Sequence, residues 1–244
     1  MIFLVTDFGN DGPYLGQVAA VLARQAQGIP VISLFNDVPS FEACGAAYLL
    51  AAYATVAQPG DVVLAVVDPG VGTARRPLVV RADGCWYVGP DNGLLAIVAR
   101  RAKAVESWEI GWRPLELSNT FHGRDLFAPV AARLAVEGEP GLTPLALKPV
   151  SLTEGKGWPD DYGKVVYFDR YGNAMTGCRA CNLGHDKVGM VGGRRLTYAK
   201  TFGDRPPGEA FWYENANGLA EIAVSRGSAR QVLGLSLGDT IIWH

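Results

Sequence analysis

The sequence predicts a two-part α/β protein: an N-terminal α/β domain with a largely parallel sheet, then a smaller all-β, barrel-like unit. Three observations predict it. Strand and helix signals alternate over the first ~135 residues. The pattern changes near Gly138, where prolines gather and periodicity fades. Beyond that point the apolar runs are short and broken by Gly, Asn and Asp. The chain has 244 residues, 49% of them hydrophobic and 19% charged, enough to bury a sizeable core.

The first element is the compact apolar run Ile2 to Val5, read as a buried strand. Tyr14 to Gln27 follows with Leu15, Val18 and Leu22 at helical spacing. Pro30 to Leu34 reads as strand, Phe41 to Ala54 as an Ala-rich helix and Asp61 to Val67 as a second buried strand. Pro77 to Val80 and Trp86 to Val88 are strands joined by the turn Ala82-Asp83-Gly84. Leu94 to Ala102 is expected to be helix, Ala104 to Ile110 strand and Arg124 to Glu137 helix. This alternation makes the N-terminal part, residues 1–145, Rossmann-like in expectation. Residues 146–162 are expected to be a linker and 163–244 the β unit. Strands there are expected at Lys164 to Phe168, Lys187 to Val191, Ala210 to Glu214, Ala220 to Val224 and Thr240 to Trp243.

Composition narrows the function classes. The net charge is −2, without the basic excess that holds phosphate backbones, so no nucleic-acid partner is expected. No apolar run approaches the ~18 residues of a membrane span, so no membrane partner is expected either. Met1 leads directly into Ile-Phe-Leu-Val and then Asp7, which reads as a first core strand rather than a signal peptide. Four cysteines are few for this length and suit reduced thiols in a cytoplasm.

Acidic residues at strand ends carry the first functional signal. Asp7 lies just past the first strand and Asp68 just past another. In open α/β sheets the ligand crevice lies outside these carboxyl ends, where an aspartate can take both hydroxyls of a ribose. Turn or helix-capping roles are the alternative. Asp68 sits in Val67-Asp68-Pro69-Gly70-Val71-Gly72-Thr73-Ala74-Arg75-Arg76, a tight path that lets Arg75 or Arg76 reach back to it. About fifty residues on, Asn119-Thr120-Phe121-His122-Gly123-Arg124-Asp125 holds one of only three histidines. Carboxylate, guanidinium and imidazole brought together can hold and activate a water. His122 also suits a capping or packing role. Gly89-Pro90-Asp91-Asn92-Gly93 reads first as a turn before a helix.

In the β unit, Phe168-Asp169-Arg170-Tyr171-Gly172-Asn173 offers a carboxylate, an aromatic face and an amide, or else a plain hairpin turn. Asn215-Ala216-Asn217-Gly218 and Ser225-Arg226-Gly227-Ser228 flank one strand as polar loops. Cys178-Arg179-Ala180-Cys181 is a single CxxC with only His185 near, short of the ligands a zinc site needs, so no metal is expected. There is no P-loop and no GxGxxG.

Taken together, six segments in order resemble the S-adenosyl-L-methionine (SAM) hydroxide adenosyltransferases, or SAM hydrolases, relatives of the fluorinase and chlorinase. They are Thr6 to Gly9, Val67 to Thr73, Gly89 to Gly93, Asn119 to Asp125, Asp169 to Asn173 and Asn217 to Ser228. The resemblance implies hydrolysis of SAM to adenosine and L-methionine, with SAM as substrate and no cofactor. It implies a homotrimer with active sites between the N-terminal domain of one subunit and the C-terminal domain of the next. It assigns Asp7 to the ribose, and Asp68, Arg75 and His122 to the water. Asp169 and Asn173 match positions at the methionine end, Tyr171 an aromatic near the adenine, and Phe41 an aromatic packed on the ligand. Phe8, Phe121, Gly123, Asn217 and Ser225 complete the expected binding set. At Ala216 and Asn217 the chain departs from the Ser-Arg of the halogenases. Two rivals stay open. A halogenase would bind halide where the water sits, and the small Gly123 leaves room for it. A non-catalytic SAM or adenosine sensor is the other.

Overall fold

A computed structural model describes the backbone of residues 1–244 and the side chains of all but residues 140 and 141. The chain divides into two compact units, Met1–Gly157 and Trp158–His244.

The first unit is built on β1 (Ile2–Thr6), β2 (Val31–Phe35), β3 (Val62–Val66), β4 (Pro77–Ala82), β5 (Cys85–Pro90), β6 (Val105–Glu109) and β7 (Lys148–Pro149). They form one seven-stranded sheet in the order β2-β1-β3-β5-β4-β6-β7. The pairs β1–β2, β1–β3 and β3–β5 are parallel. The pairs β5–β4, β4–β6 and β6–β7 are antiparallel. The largely parallel sheet expected from the alternation is therefore only half parallel. The cause is local: Asp83 and Gly84 both take positive φ, closing a tight β4–β5 hairpin, and a hairpin can join only antiparallel strands.

Four helices flank this sheet: α1 (Tyr14–Gln25), α2 (Ala43–Tyr53), α3 (Ala96–Arg101) and α4 (Ala128–Glu137). Val18 and Leu22 of α1, with Val130, Ala131 and Leu134 of α4, bury the face carrying Ile2, Leu4, Val62, Leu64 and Val66. β1 and β3 are buried along their whole length, as strands covered on both faces must be. α2 begins two residues later than expected, because Phe41 takes a left-handed φ of 68° and stands outside the helix. The expected helix from Arg124 opens instead as a π-helical turn, Gly123–Phe127, before α4. Part of the expected linker is structured. Lys148 and Pro149 add β7 to the sheet edge, held further by Val150 N–H to the Ser107 carbonyl at 3.0 Å.

The second unit contains β8 (Tyr162–Phe168), β9 (Ala174–Arg179), β10 (Gly189–Val191), β11 (Arg194–Tyr198), β12 (Ala210–Glu214), β13 (Leu219–Val224) and β14 (Ile242–Trp243). Their order is β14-β10-β11-β12-β13-β9-β8. The segment leading into β14 returns to β8: Val165 N–H donates to Asp239 O at 2.9 Å and Ile241 N–H to Gly163 O at 2.8 Å. The sheet edges thus meet and the unit is nearly a barrel. Trp212, Leu196, Ile222 and Val224 fill its core. The expectation of an all-β unit needs one correction, since two short α-helices, α5 (Ala180–Leu183) and α6 (Ala229–Leu233), and a 3-10 turn, Phe202–Asp204, interrupt it.

Candidate active site

Thr6 pairs in register with Val66, so the residues that leave β1 and β3 emerge side by side. The chain turns to one side from β1 to β2 and to the other to reach β3, so a crevice opens between their carboxyl ends. A cavity of about 150 Å³ lies there, lined by Asp7, Phe8, Phe41, Asp68, Phe121, His122 and Gly123, with Val66, Val71 and Thr120.

The turn after β3 is pinned by its own atoms. Thr73 Oγ1 donates to the Gly70 carbonyl at 2.6 Å, and Val71 N–H to the Asp68 carbonyl at 3.2 Å. This folds Arg75 back onto Asp68: Nε donates to Oδ1 at 3.0 Å and Nη2 to Oδ2. The pair is bidentate, and both side chains are below 10% exposed. Arg75 Nη2 also lies 3.4 Å from His122 Nδ1. A guanidinium can only donate, so Nδ1 is the acceptor and the proton of the neutral ring sits on Nε2. Burial, and then the Arg75 charge, hold the His122 imidazolium below the ordinary histidine range. Of the two neighbouring arginines only Arg75 faces Asp68. Arg76 turns to Asp91, with Nε to Oδ2 at 2.8 Å.

His122 reaches this place because two loops are pressed together. Gly72 has a φ of +77°, and a Cβ there would stand 2.5 Å from the Asn119 carbonyl oxygen. Asp125 anchors the histidine loop by accepting from Ser118 N–H at 3.0 Å. Phe8, Tyr14 and Phe121 pack as a cluster of tilted rings, 5.2 to 6.2 Å between centroids. Gly123 lines the cavity. A Cβ there would meet Phe8 at 3.0 Å and Phe121 at 3.3 Å, because the rings already fill that side.

Asp7 accepts from Phe41 N–H at 3.3 Å. Burial raises its carboxyl above the usual range, against that hydrogen bond, and the Asp68 charge pushes the same way. Phe41 itself is 74% exposed.

The second unit has its own cavity of about 570 Å³, lined by Asp169, Tyr171, Asn173, Phe202, Tyr213, Val224, Arg226 and Gly227. Asp169 holds the turn after β8, accepting from Tyr171 N–H at 2.9 Å, Asn173 N–H at 2.8 Å and Asn173 Nδ2 at 2.9 Å. The carboxylate thus closes the turn and also lines the cavity. Tyr171 is 78% exposed and Asn173 is buried. Ser225 is buried behind this cavity, where its hydroxyl donates to the Phe202 carbonyl at 3.3 Å. Asn217 lies in the β12–β13 hairpin, its N–H donating to Asn215 Oδ1 at 2.9 Å. That hairpin is at the far end of β13 from Ser225, about 20 Å away at ~3.3 Å per residue, and Asn217 does not line the cavity. Sequence reasoning left Phe202, Tyr213 and Arg226 out of the site set. Arg226 carried a signal, a polar loop at a strand end, and takes φ 53°. The aromatics carried none, since alternation alone does not say which face of β12 meets a cavity.

The two halves of the sequence also match known families. Residues 2–142 match the SAM hydroxide adenosyltransferase N-terminal domain, and residues 163–242 the corresponding C-terminal domain. This chain belongs to the SAM hydroxide adenosyltransferase family. A family relative from Thermus thermophilus named (R)-S-adenosyl-L-methionine hydrolase is 45% identical, over 97% of this chain and 96% of its own. One of the same name from Salinispora arenicola is 37% identical, over 98% and 96%. Among solved structures, an uncharacterized conserved protein from Thermotoga maritima superposes with a TM-score of 0.89 at 32% identity, covering 100% of both chains. A conserved hypothetical protein from Thermus thermophilus gives 0.73 at 38% identity, covering 100% of this chain and 99% of that one.

Proposed function

We propose that this SAM hydroxide adenosyltransferase hydrolyses S-adenosyl-L-methionine to adenosine and L-methionine. The observation that carries the reading is that Arg75 joins Asp68 to His122, and those two line one cavity with Asp7. The sulfonium of SAM leaves as a neutral thioether, so the reaction needs no acid and, in this reading, no metal or cofactor. It needs an oxygen held in line with C5′ and opposite sulfur. Asp68 accepts a proton from the water. Arg75 fixes that carboxylate and the imidazole, and His122 Nε2–H donates to the developing hydroxide. The C5′–O bond forms as C5′–S breaks, and the proton passes from Asp68 to solvent.

Asp7 takes the ribose hydroxyls while Phe8, Phe41, Phe121 and Gly123 shape the walls. Asp169 and Asn173 meet the methionine end, Tyr171 lies near the adenine, and Ser225 acts through Phe202. Asn217 receives no contact in this reading, because it sits away from Asp169. At about 150 Å³ the first cavity is below the ~300 Å³ usual for a small-molecule site, which supports a ligand that extends beyond it. The family resemblance implies a homotrimer whose sites join the N-terminal unit of one subunit to the C-terminal unit of the next, and this reading adopts it. The parallel strands β2-β1-β3-β5 act as a Rossmann-like frame, with the site at the β1/β3 switch point. Cysteines as few as four suit a reducing, cytoplasmic compartment, and no helix among the described residues is long and apolar enough to cross a membrane.

Nothing favours a halide. Two carboxylates line the cavity, and their charge repels an anion. The test is incubation with SAM in chloride-free and chloride-rich buffer, with products separated by chromatography and mass. Adenosine and methionine in both buffers are expected. A chloride-dependent 5′-chloro-5′-deoxyadenosine peak moves the assignment to a halogenase, and intact SAM moves it to a binding protein.

A further inference from the structure

The segment Gly89 to Gly93 has no part in the chemistry above, yet the sheet order gives it a particular place. β5 lies between β3 and β4. The turn that carries Asp68 and Arg75 leaves β3 and enters β4, so it must cross the end of β5. Asp91 and Asn92 are the two residues that emerge there.

Each ties down one end of the crossing turn. Asn92 Nδ2 donates to the Val67 carbonyl, one residue before Asp68, at 2.8 Å. Its Oδ1 accepts from Leu94 N–H at 3.2 Å, which fixes the amide's orientation. Asp91 grips the other end through its backbone and its side chain. Its N–H donates to the Arg76 carbonyl at 2.9 Å, and its Oδ2 accepts from Arg76 Nε at 2.8 Å and from Arg76 Nη2. The same Arg76 carbonyl accepts from Arg75 Nη1 at 3.1 Å. A chain of hydrogen bonds therefore runs from Asp91 through one carbonyl to the guanidinium that holds Asp68 and His122. Asp91 is buried and Asn92 partly so, which limits the competition of water for these bonds.

We propose that Asp91 and Asn92 are positioning residues, clamping both ends of the Asp68–Arg75 turn so that carboxylate, guanidinium and imidazole stay in one arrangement. Neither touches the cavity, so they act through Val67, Arg75 and Arg76. The proposal rests on the hydrolase reading for its kinetics and on the geometry alone for its second readout. The variants are Asn92→Ala, Asp91→Ala and the milder Asp91→Asn and Arg76→Lys. In the folded fraction, set by thermal melting, the alanine variants are expected to lose ~10- to 100-fold in kcat with KM within about two-fold, because small misplacements at reacting atoms cost that much. Asp91→Asn keeps an acceptor for Arg76 and should recover part of the loss.

The second readout is the NMR titration of the His122 imidazole, resolvable because the chain has only three histidines. Loosening Arg75 should move its midpoint up, toward the ordinary histidine value. Folded variants with kcat and the His122 midpoint both unchanged overturn the proposal, as does a lower melting temperature as the sole effect. If the wild type leaves SAM intact, the hydrolase reading fails and the clamp stands or falls on the titration. If the alanine variants do not fold, Asp91→Asn and Arg76→Lys carry the same two readouts.

Discussion

At the residue scale the site turns on a histidine kept neutral. A protonated His122 could not accept from Arg75 and would set two cations 3.4 Å apart. Burial and the Arg75 charge both resist that protonation. Turnover of SAM should therefore persist as pH falls through the ordinary histidine value of about 6.5 and decline only below it. The kcat/KM profile of the free enzyme measures this, and an acid limb at or above that value would contradict the assignment. His122→Ala should lose ~10²- to 10³-fold in kcat, the usual worth of one donor aimed at developing charge, and Asp68→Asn, which removes the proton acceptor, at least as much. Asp68→Asn also turns one Arg75 acceptor into a donor, so its His122 NMR signal should shift, whereas a role for Asp68 confined to closing the loop predicts unchanged chemistry once the variant is folded.

Elements decide which residues meet, and here the legible and illegible parts separate. Asp161, just ahead of β8, joins that strand's start to β9: it accepts from Arg179 N–H at 2.8 Å, Arg179 Nε at 2.9 Å, Arg179 Nη2 at 2.8 Å and Asn182 Nδ2 at 2.8 Å. Burial alone would raise its carboxyl, but these donors outweigh it and bring it down to about 2. A folded-state value below the unfolded one stabilises the protein above the unfolded value of 3.8 and loses that contribution as pH falls through about 2. Partial exposure limits it to roughly 1–2 kcal/mol at neutral pH. Asp161→Asn should therefore lower the melting temperature at pH 7 and make little difference near pH 2; equal losses at both would refute the ionic account. None of this was legible in the sequence, where Arg179 stood out only as the middle of a CxxC. Its two cysteines are Cys178, buried in β9 with its thiol raised to about 11 by burial, and the exposed Cys181 in α5. β9 and β11 went unread because Gly, Thr and Arg interrupt their apolar pattern; only pairing with neighbours makes them strands. The strands β1 and β3 were legible because a strand buried on both faces leaves a continuous apolar run. The aspartates at their ends were legible for the same reason, while the choice of Arg75 over Arg76 was not. That choice depends on Asp91, a residue about fifteen positions away that only the β4–β5 hairpin brings near.

At the scale of the whole molecule, the proposed site is shared between subunits, which can be tested without any image of the assembly. A trimer of 26.0 kDa chains has a mass of about 78 kDa in solution. Phe41 and Tyr171, each about three-quarters exposed in the single chain, border different cavities. The decisive experiment mixes two inactive variants, His122→Ala and Asp169→Ala, by joint unfolding and refolding. Each variant alone has every site damaged. In a random mixture, a site drawing its N-terminal half from one subunit and its C-terminal half from the next has about one chance in four of receiving two intact halves. About a quarter of wild-type turnover should then return, growing from zero with the degree of subunit exchange. A site completed within one chain gives no recovery at any ratio, because every chain carries a lesion. The outcome therefore separates a shared site from an assembly that is trimeric for other reasons, which mass alone cannot do.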